Sequence, residues 1–238
     1  MGFPTVTSIT DTLVNGNSTT HNVNMPAAVT VGELLLVLFA LECNAADNTL
    51  TTPGGWTLLW SSTNDAAATV RGAGYAKVAV GTEGGTTVNF VSSVATSAAA
   101  QCYRIADWFG VIATGIAVGT EAVSTGTSTP NPPSLTPPWG ALDTLWIATY
   151  SAGDDGETMS SPPTNYGNQQ DTVTTGGVDE SAEVGSARRT LNASSENPGT
   201  FTLSASEGTV AQTIAIRPHV GLPVFQRVPN RIWRGRRR

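Results

Sequence analysis

The stretch GELLLVLFALE, Gly32 to Glu42, decides the fold, because it heads a series of blocks that the chain carries twice. After it come the turn and aromatic PGGW (Pro53 to Trp56), then YAKVAVGTEGGTTVNF (Tyr75 to Phe90) and AAAQCYRIAD (Ala98 to Asp107). The same order returns as GALDTLWIATYSA (Gly140 to Ala152), PTNY (Pro163 to Tyr166), RRTLNASSENPGTFTL (Arg188 to Leu203) and VAQTIAIRP (Val210 to Pro218). Trp56 and Tyr166 lie 110 positions apart, and both Glu83 to Glu196 and Arg104 to Arg217 span 113. A domain-sized period of this kind indicates two copies of one unit and not a solenoid of short repeats.

Composition points the same way. Thr and Ser together number 54 of 238 residues, Gly adds 25, and only 13% of the chain is charged, a balance that favours short strands and tight turns over helices. Strand signals bounded by Gly, Pro, Asn and Asp recur about seven times per unit, and no stretch carries a sustained helical period with caps. The expected fold is all-β, with two tandem antiparallel β-sandwich, jelly-roll-like units; the alternative is one fused large jelly roll. The expected boundaries are residues 1–109 for the first unit, 110–218 for the second and 219–238 for a tail. ELLLVLFALE and DTLWIATYS read as central strands buried on both faces. Because ADWFGVIATG (Ala106 to Gly115) carries Trp108, Phe109, Val111 and Ile112, it reads as a packed joint between the units, not a polar linker.

Charge is split. Residues 1–226 hold all 18 acids and six basic residues, 6 − 18 = −12, whereas the last twelve residues hold six arginines and no acid, +6. The longest apolar run, Leu34 to Leu41, is too short to cross a bilayer, and MGFPTVTS has neither the basic start nor the apolar core of a signal peptide. A soluble chain, made and folded in the cytoplasm of the producing cell and without membrane contact, is expected.

Catalytic chemistry finds little material. His21 and His219 are the only histidines, one in an early strand and one in the tail, which leaves almost no material for either a Ser-His-Asp arrangement or a histidine zinc site, and no glycine-rich segment joins a strand to a helix. The acidic loop GDDGET, with Asp154, Asp155 and Glu157, is a weak calcium candidate and a weaker source of a glycosidase carboxylate pair; a solvated acidic turn is its plain reading. No cofactor is called for and no enzyme is expected. Cys43 and Cys102 read as two buried thiols, a bridge being the alternative. Trp56, Trp60 and Tyr166 are candidate glycan contacts, with core anchoring as the competing reading. Arg104 and Arg217 end equivalent strands, where an arginine stem that covers the sandwich edge with its head in water is the plain reading and a binding role the alternative.

ALDTLWIATYS, SARRTLNASSENPGTFTLSASEGTVAQTIAIRP, TPGGWTLLWSS and GYAKVAVGTEGGTTV together resemble β-sandwich proteins that tailed bacteriophages encode among their virion genes. The likeness covers most of residues 5–218 and rests on folding motifs, so no functional residue carries over. It implies an accessory structural protein of the particle: a capsid decoration, a head fibre or a tail component. HVGLPVFQRVPNRIWRGRRR stands apart from the family pattern. Within it Arg227, Arg231, Ile232, Trp233, Arg234, Arg236, Arg237 and Arg238 combine bidentate carboxylate binding with an aromatic anchor, which fits docking on an acidic protein. Nucleic-acid contact and a purely solvating tail are the alternatives. The expected function is therefore a non-enzymatic virion protein, present in several copies or as a homo-oligomer and attached to a capsid or connector protein through its tail. The alternative is a tail-fibre or receptor-binding module for host surface glycans.

Overall fold

The computed structural model describes residues 2–43, 48–64, 69–154, 158–175 and 181–219. The strands are β1 (Thr5–Asn24), β2 (Leu34–Glu42), β3 (Leu50–Thr51), β4 (Thr57–Thr63), β5 (Val70–Val78), β6 (Thr87–Ala106), β7 (Ile116–Val118), β8 (Ala122–Thr127), β9 (Leu142–Asp154), β10 (Met159–Ser161), β11 (Gly167–Val173), β12 (Ser181–Ala193), β13 (Thr202–Leu203) and β14 (Glu207–Ile216). One four-residue helix, α1 (Ile112–Gly115), sits between β6 and β7.

Two antiparallel six-stranded sheets dominate. The first runs β1-β6-β2-β5-β4 with β3 on β6, and the second runs β11-β12-β9-β14-β7 with β8 on β14. Each sheet comes from one half of the repeat, and the two pack face to face. Alternation along β2 explains how: Leu34, Leu36, Leu38 and Ala40 join Leu145, Ile147, Val184, Val210, Ile214 and Ile216 of the second sheet in a shared core. The odd residues Leu35, Val37, Phe39 and Leu41 enter a second core on the outer face of the first sheet. β9 divides in the same way, with Trp146, Ala148 and Tyr150 in a third core on the outer face of the second sheet. The expectation that both runs are buried on two faces is met.

Each half is thus a sandwich of one large sheet and a smaller outer layer, and the large sheets are fused back to back. In the first half the outer layer is made by bending: β1 and β6 remain paired from Thr5↔Ala106 to Asn24↔Thr87, with register shifts between Val14, Ser18 and Thr20. Such irregularities let a strand turn over the sheet without losing its ladder. The far halves carry Val23 and Phe90 onto Phe39 and Tyr75, whose ring centroids lie 5.4 and 4.8 Å from that of Phe90. VTSITDT and TTHNVNM, and likewise TTVNFVSS and AAAQCYRIA, read from the turn signals as four strands, and the structure joins them into two, β1 and β6. In the second half the outer layer is the β10–β13 pair and the Leu135↔Glu196 bridge, with Phe201 against Tyr150 at 4.9 Å.

A polar network crosses the shared core. Gln101 Nε2 donates to Thr172 Oγ1 at 3.0 Å and to the Val184 carbonyl at 2.8 Å. Ser186 Oγ donates to Gln101 Oε1 at 2.5 Å and bonds the Tyr103 hydroxyl at 2.6 Å. Every polar atom of Gln101 that the gap encloses has a partner, which is the condition under which a buried network fixes one arrangement of two sheets. Ser151 Oγ adds a bond to the Phe39 carbonyl at 3.2 Å.

Candidate functional site

The end of the sandwich where the chain passes from β14 towards its C-terminus is tightly held. Arg217 N donates to the Gly115 carbonyl at 2.9 Å, Phe109 N to the Arg217 carbonyl at 3.0 Å and His219 N to the Asp107 carbonyl at 2.9 Å. Pro218 bridges Trp108, which is 3% exposed in the shared core, and the Trp108 indole donates to the Gly32 carbonyl at 2.9 Å. The Arg217 guanidinium lies 3.9 Å from the Phe109 ring centroid, a cation–π contact. Of the four side chains expected to pack in residues 106–115, Trp108 is buried and Phe109 and Ile112 are half-buried, whereas Val111 is 52% exposed and takes no part in the joint. Arg217 is absorbed by Phe109, and Arg104 by Glu33, whose Oε2 accepts from Arg104 Nε at 2.5 Å. That bond, with the Thr30 N–H, outweighs desolvation and holds the Glu33 carboxyl below its ordinary pKa. Arg227, Arg231, Ile232, Trp233, Arg234, Arg236, Arg237 and Arg238 lie outside the described residues; only the root of their segment is placed.

Asp155 and Glu157 also lie outside the described residues, and Asp154 is described only as the backbone end of β9. Among the described residues no cluster of three or more His, Cys, Asp or Glu side chains forms. No helix among them is long and apolar enough to cross a membrane.

The rings proposed for glycan stacking are in the cores. Trp56, Trp60 and Tyr166 are each 7% exposed, which leaves no flat face for a pyranose. Trp56 packs on Phe90, and Trp60 lies between the sheets over Gly74, where a Cβ would fall 1.9 Å from the ring. Trp56 and Tyr166 close equivalent turns, their N–H groups donating to the Pro53 and Pro163 carbonyls at 3.1 and 3.0 Å. Burial, with the Glu196 charge beside it, pushes the Tyr166 phenol well above its ordinary range. The repeat thus preserved them as turn anchors. Cys43 and Cys102 are free and buried; burial lifts Cys43 to about 12 and Cys102 higher still.

Sequence reasoning missed a cavity of about 540 Å³ at the edge of the inter-sheet gap, at the end where β14 finishes. Phe3, Pro4, Thr5 and Val6 border it on one side, and Leu145, Asn165, Gly167, Asn168, Arg188, Arg189 and Thr190 on the other. Arg188 follows Val184 and Ser186 on the inward face of β12, and its Nη1 is buried with no partner. Asn165 and Asn168 hold φ of 68° and 49°, in the left-handed region that non-glycine residues rarely enter. The signal for this site was available: PTNY places Asn165 where PGGW has Gly55, itself at φ 80°.

No family model, curated protein or solved structure matches this chain.

Proposed function

We propose that this protein is a non-enzymatic structural component of a bacteriophage particle, attached outside the capsid in several copies through residues 219–238. The observation that carries the reading is the root of the tail. Backbone hydrogen bonds from Arg217, Phe109 and His219, together with the buried Trp108, tie the last described residues to the joint between the sheets. A force on the tail is therefore borne by the shared core. The charge split supports the same reading, since a body of −12 stays off an acidic partner surface while six arginines engage it. The likeness of the folding motifs to phage virion proteins supplies the setting, and repeated sites on a symmetric particle turn modest contacts into firm attachment.

Deleting residues 220–238 tests the reading. The shortened protein is expected to keep its β-sheet circular dichroism and to disappear from purified particles; retention at wild-type occupancy would overturn tail-mediated attachment. The competing reading, a receptor-binding module for host glycans, draws support from the Arg188 cavity and not from the buried rings.

A further inference from the structure

We propose that the cavity beside Arg188 is a binding site for a carboxylated sugar, with the guanidinium taking the carboxylate and the surrounding amides and hydroxyls taking the ring hydroxyls. The inference stands on Arg188 and is independent of how the tail is used.

Six cationic Lys and Arg side chains fall among the described residues, and five are engaged. Lys77 pairs with Glu83 at 3.0 Å, Arg104 with Glu33 and Arg189 with Glu196 at 2.9 Å. Arg71 donates to the Asn48 carbonyl and Ser61 Oγ, and Arg217 stacks on Phe109. Arg188 alone has neither hydrogen bond, ion pair nor ring contact, although Nη1 is shut off from solvent. An enclosed N–H left unbonded costs about 1–3 kcal/mol, and the half-buried Arg188 side chain stands on the cavity wall with its charge unneutralised by any ion pair. The fold retains this cost in a cavity whose size lies in the range of about 300–1,000 Å³ usual for small-molecule sites.

The second sign is the backbone. Both halves need a residue with positive φ at the third position of the turn before the buried aromatic, and the first half uses Gly55. The second half uses Asn165, at some cost in strain, and so sets an amide in the cavity wall; Asn168 adds another from the β11 bulge.

Ligand chemistry is dictated by the lining. One unneutralised cation suits a monoanion; a phosphate monoester, carrying about 1.5–2 negative charges near neutral pH, is undermatched in so acidic a body. Arg189, the other cation of the wall, is already neutralised by Glu196. Four neutral hydrogen-bonding side chains, Thr5, Asn165, Asn168 and Thr190, exceed what a lone carboxylate uses and match a polyhydroxylated ring. Phe3, Pro4, Val6 and Leu145 supply an apolar surface for its C–H face.

Titration of the full-length protein with D-glucuronate, D-glucose and glucose 6-phosphate, monitored by amide NMR shifts, tests this. Glucuronate is expected to give saturable shifts at residues 3–6, 165–168 and 188–190 at concentrations up to about 20 mM, with binding at least about tenfold tighter than glucose. Arg188→Met and Arg188→Gln are expected to lose at least about tenfold in affinity without a fall in Tm, because the guanidinium holds nothing in the unliganded fold. Asn165→Gly keeps the turn and weakens binding by a smaller factor. Absence of saturable shifts, equal affinity for glucose, preference for glucose 6-phosphate, or undiminished binding in both Arg188 variants would each overturn the assignment. Shifts confined to residues 227–238 would do so as well, by showing charge attraction to the tail alone. None of these outcomes bears on particle attachment, which the tail deletion reads separately.

Discussion

His21 is the residue whose burial has the clearest measurable consequence. It is fully buried, its Nε2 bonds Ser92 Oγ at 2.9 Å, and desolvation lowers its pKa from 6.5 to about 4. Between those values the unfolded chain binds a proton that the folded chain refuses, so stability present above pH 6.5 is lost as pH falls towards 4, by about 3 kcal/mol at most. Urea midpoints measured across that window are expected to drop in the wild type and to lose this slope in His21→Gln. Glu83 acts at lower pH. Burial opposes its charge, but bonds from the Val80 N–H and the Lys77 ammonium overcome it and hold its pKa near 2. Its contribution is complete above about 4.5 and is lost as pH falls through 2. Glu83→Gln is expected to lower stability at pH 7 by about 2 kcal/mol and to flatten the remaining acid limb of the same titration. Cys43 and Cys102, buried and held as thiols, are expected to react with a thiol reagent only in denaturant.

At the scale of elements, the two halves repeat one device: an aromatic ring laid across a glycine of the neighbouring strand. Trp60 on β4 covers Gly74 of β5, and Tyr150 on β9 covers Gly185 of β12, where an added Cβ would stand 1.9 and 2.1 Å from the rings. Gly74→Ala and Gly185→Ala are each expected to cost about 1–3 kcal/mol, read as a fall in Tm, because the ring has no empty volume to enter. Such pairings were not legible in the chain, since nothing in GAGYAKV says which aromatic lies over which glycine. The central strands were legible, because an apolar run of eight residues has no other place in a β protein. The bending of β1 and β6 was not: the turn-like polar residues of NGNSTT mark a bulge in a continuous ladder and not a chain reversal.

For the whole molecule, the shared core predicts a single unfolding event. Residues from both sheets interleave there, so neither half can lose its fold and leave the other's face dry. Calorimetric and van't Hoff enthalpies of residues 1–219 are expected to agree, and residues 1–109 expressed alone are expected to aggregate or remain unfolded. Two resolved transitions would contradict this. Gln101→Ala, which removes the acceptor of the Ser186 hydroxyl and the donor to Thr172 Oγ1 and the Val184 carbonyl between the sheets, is expected to cost about 2–4 kcal/mol. By itself the sequence determined the β class, the duplication, the doubly buried strands and the separation of charge, because these follow from side-chain period, spacing and composition, which are local properties of the chain. Tertiary structure alone decided that the large sheets join face to face, that the candidate glycan rings are core, and that Arg188 stands unpaired beside Asn165. Each of these depends on which residues from opposite halves meet in space, and a linear pattern does not record such meetings.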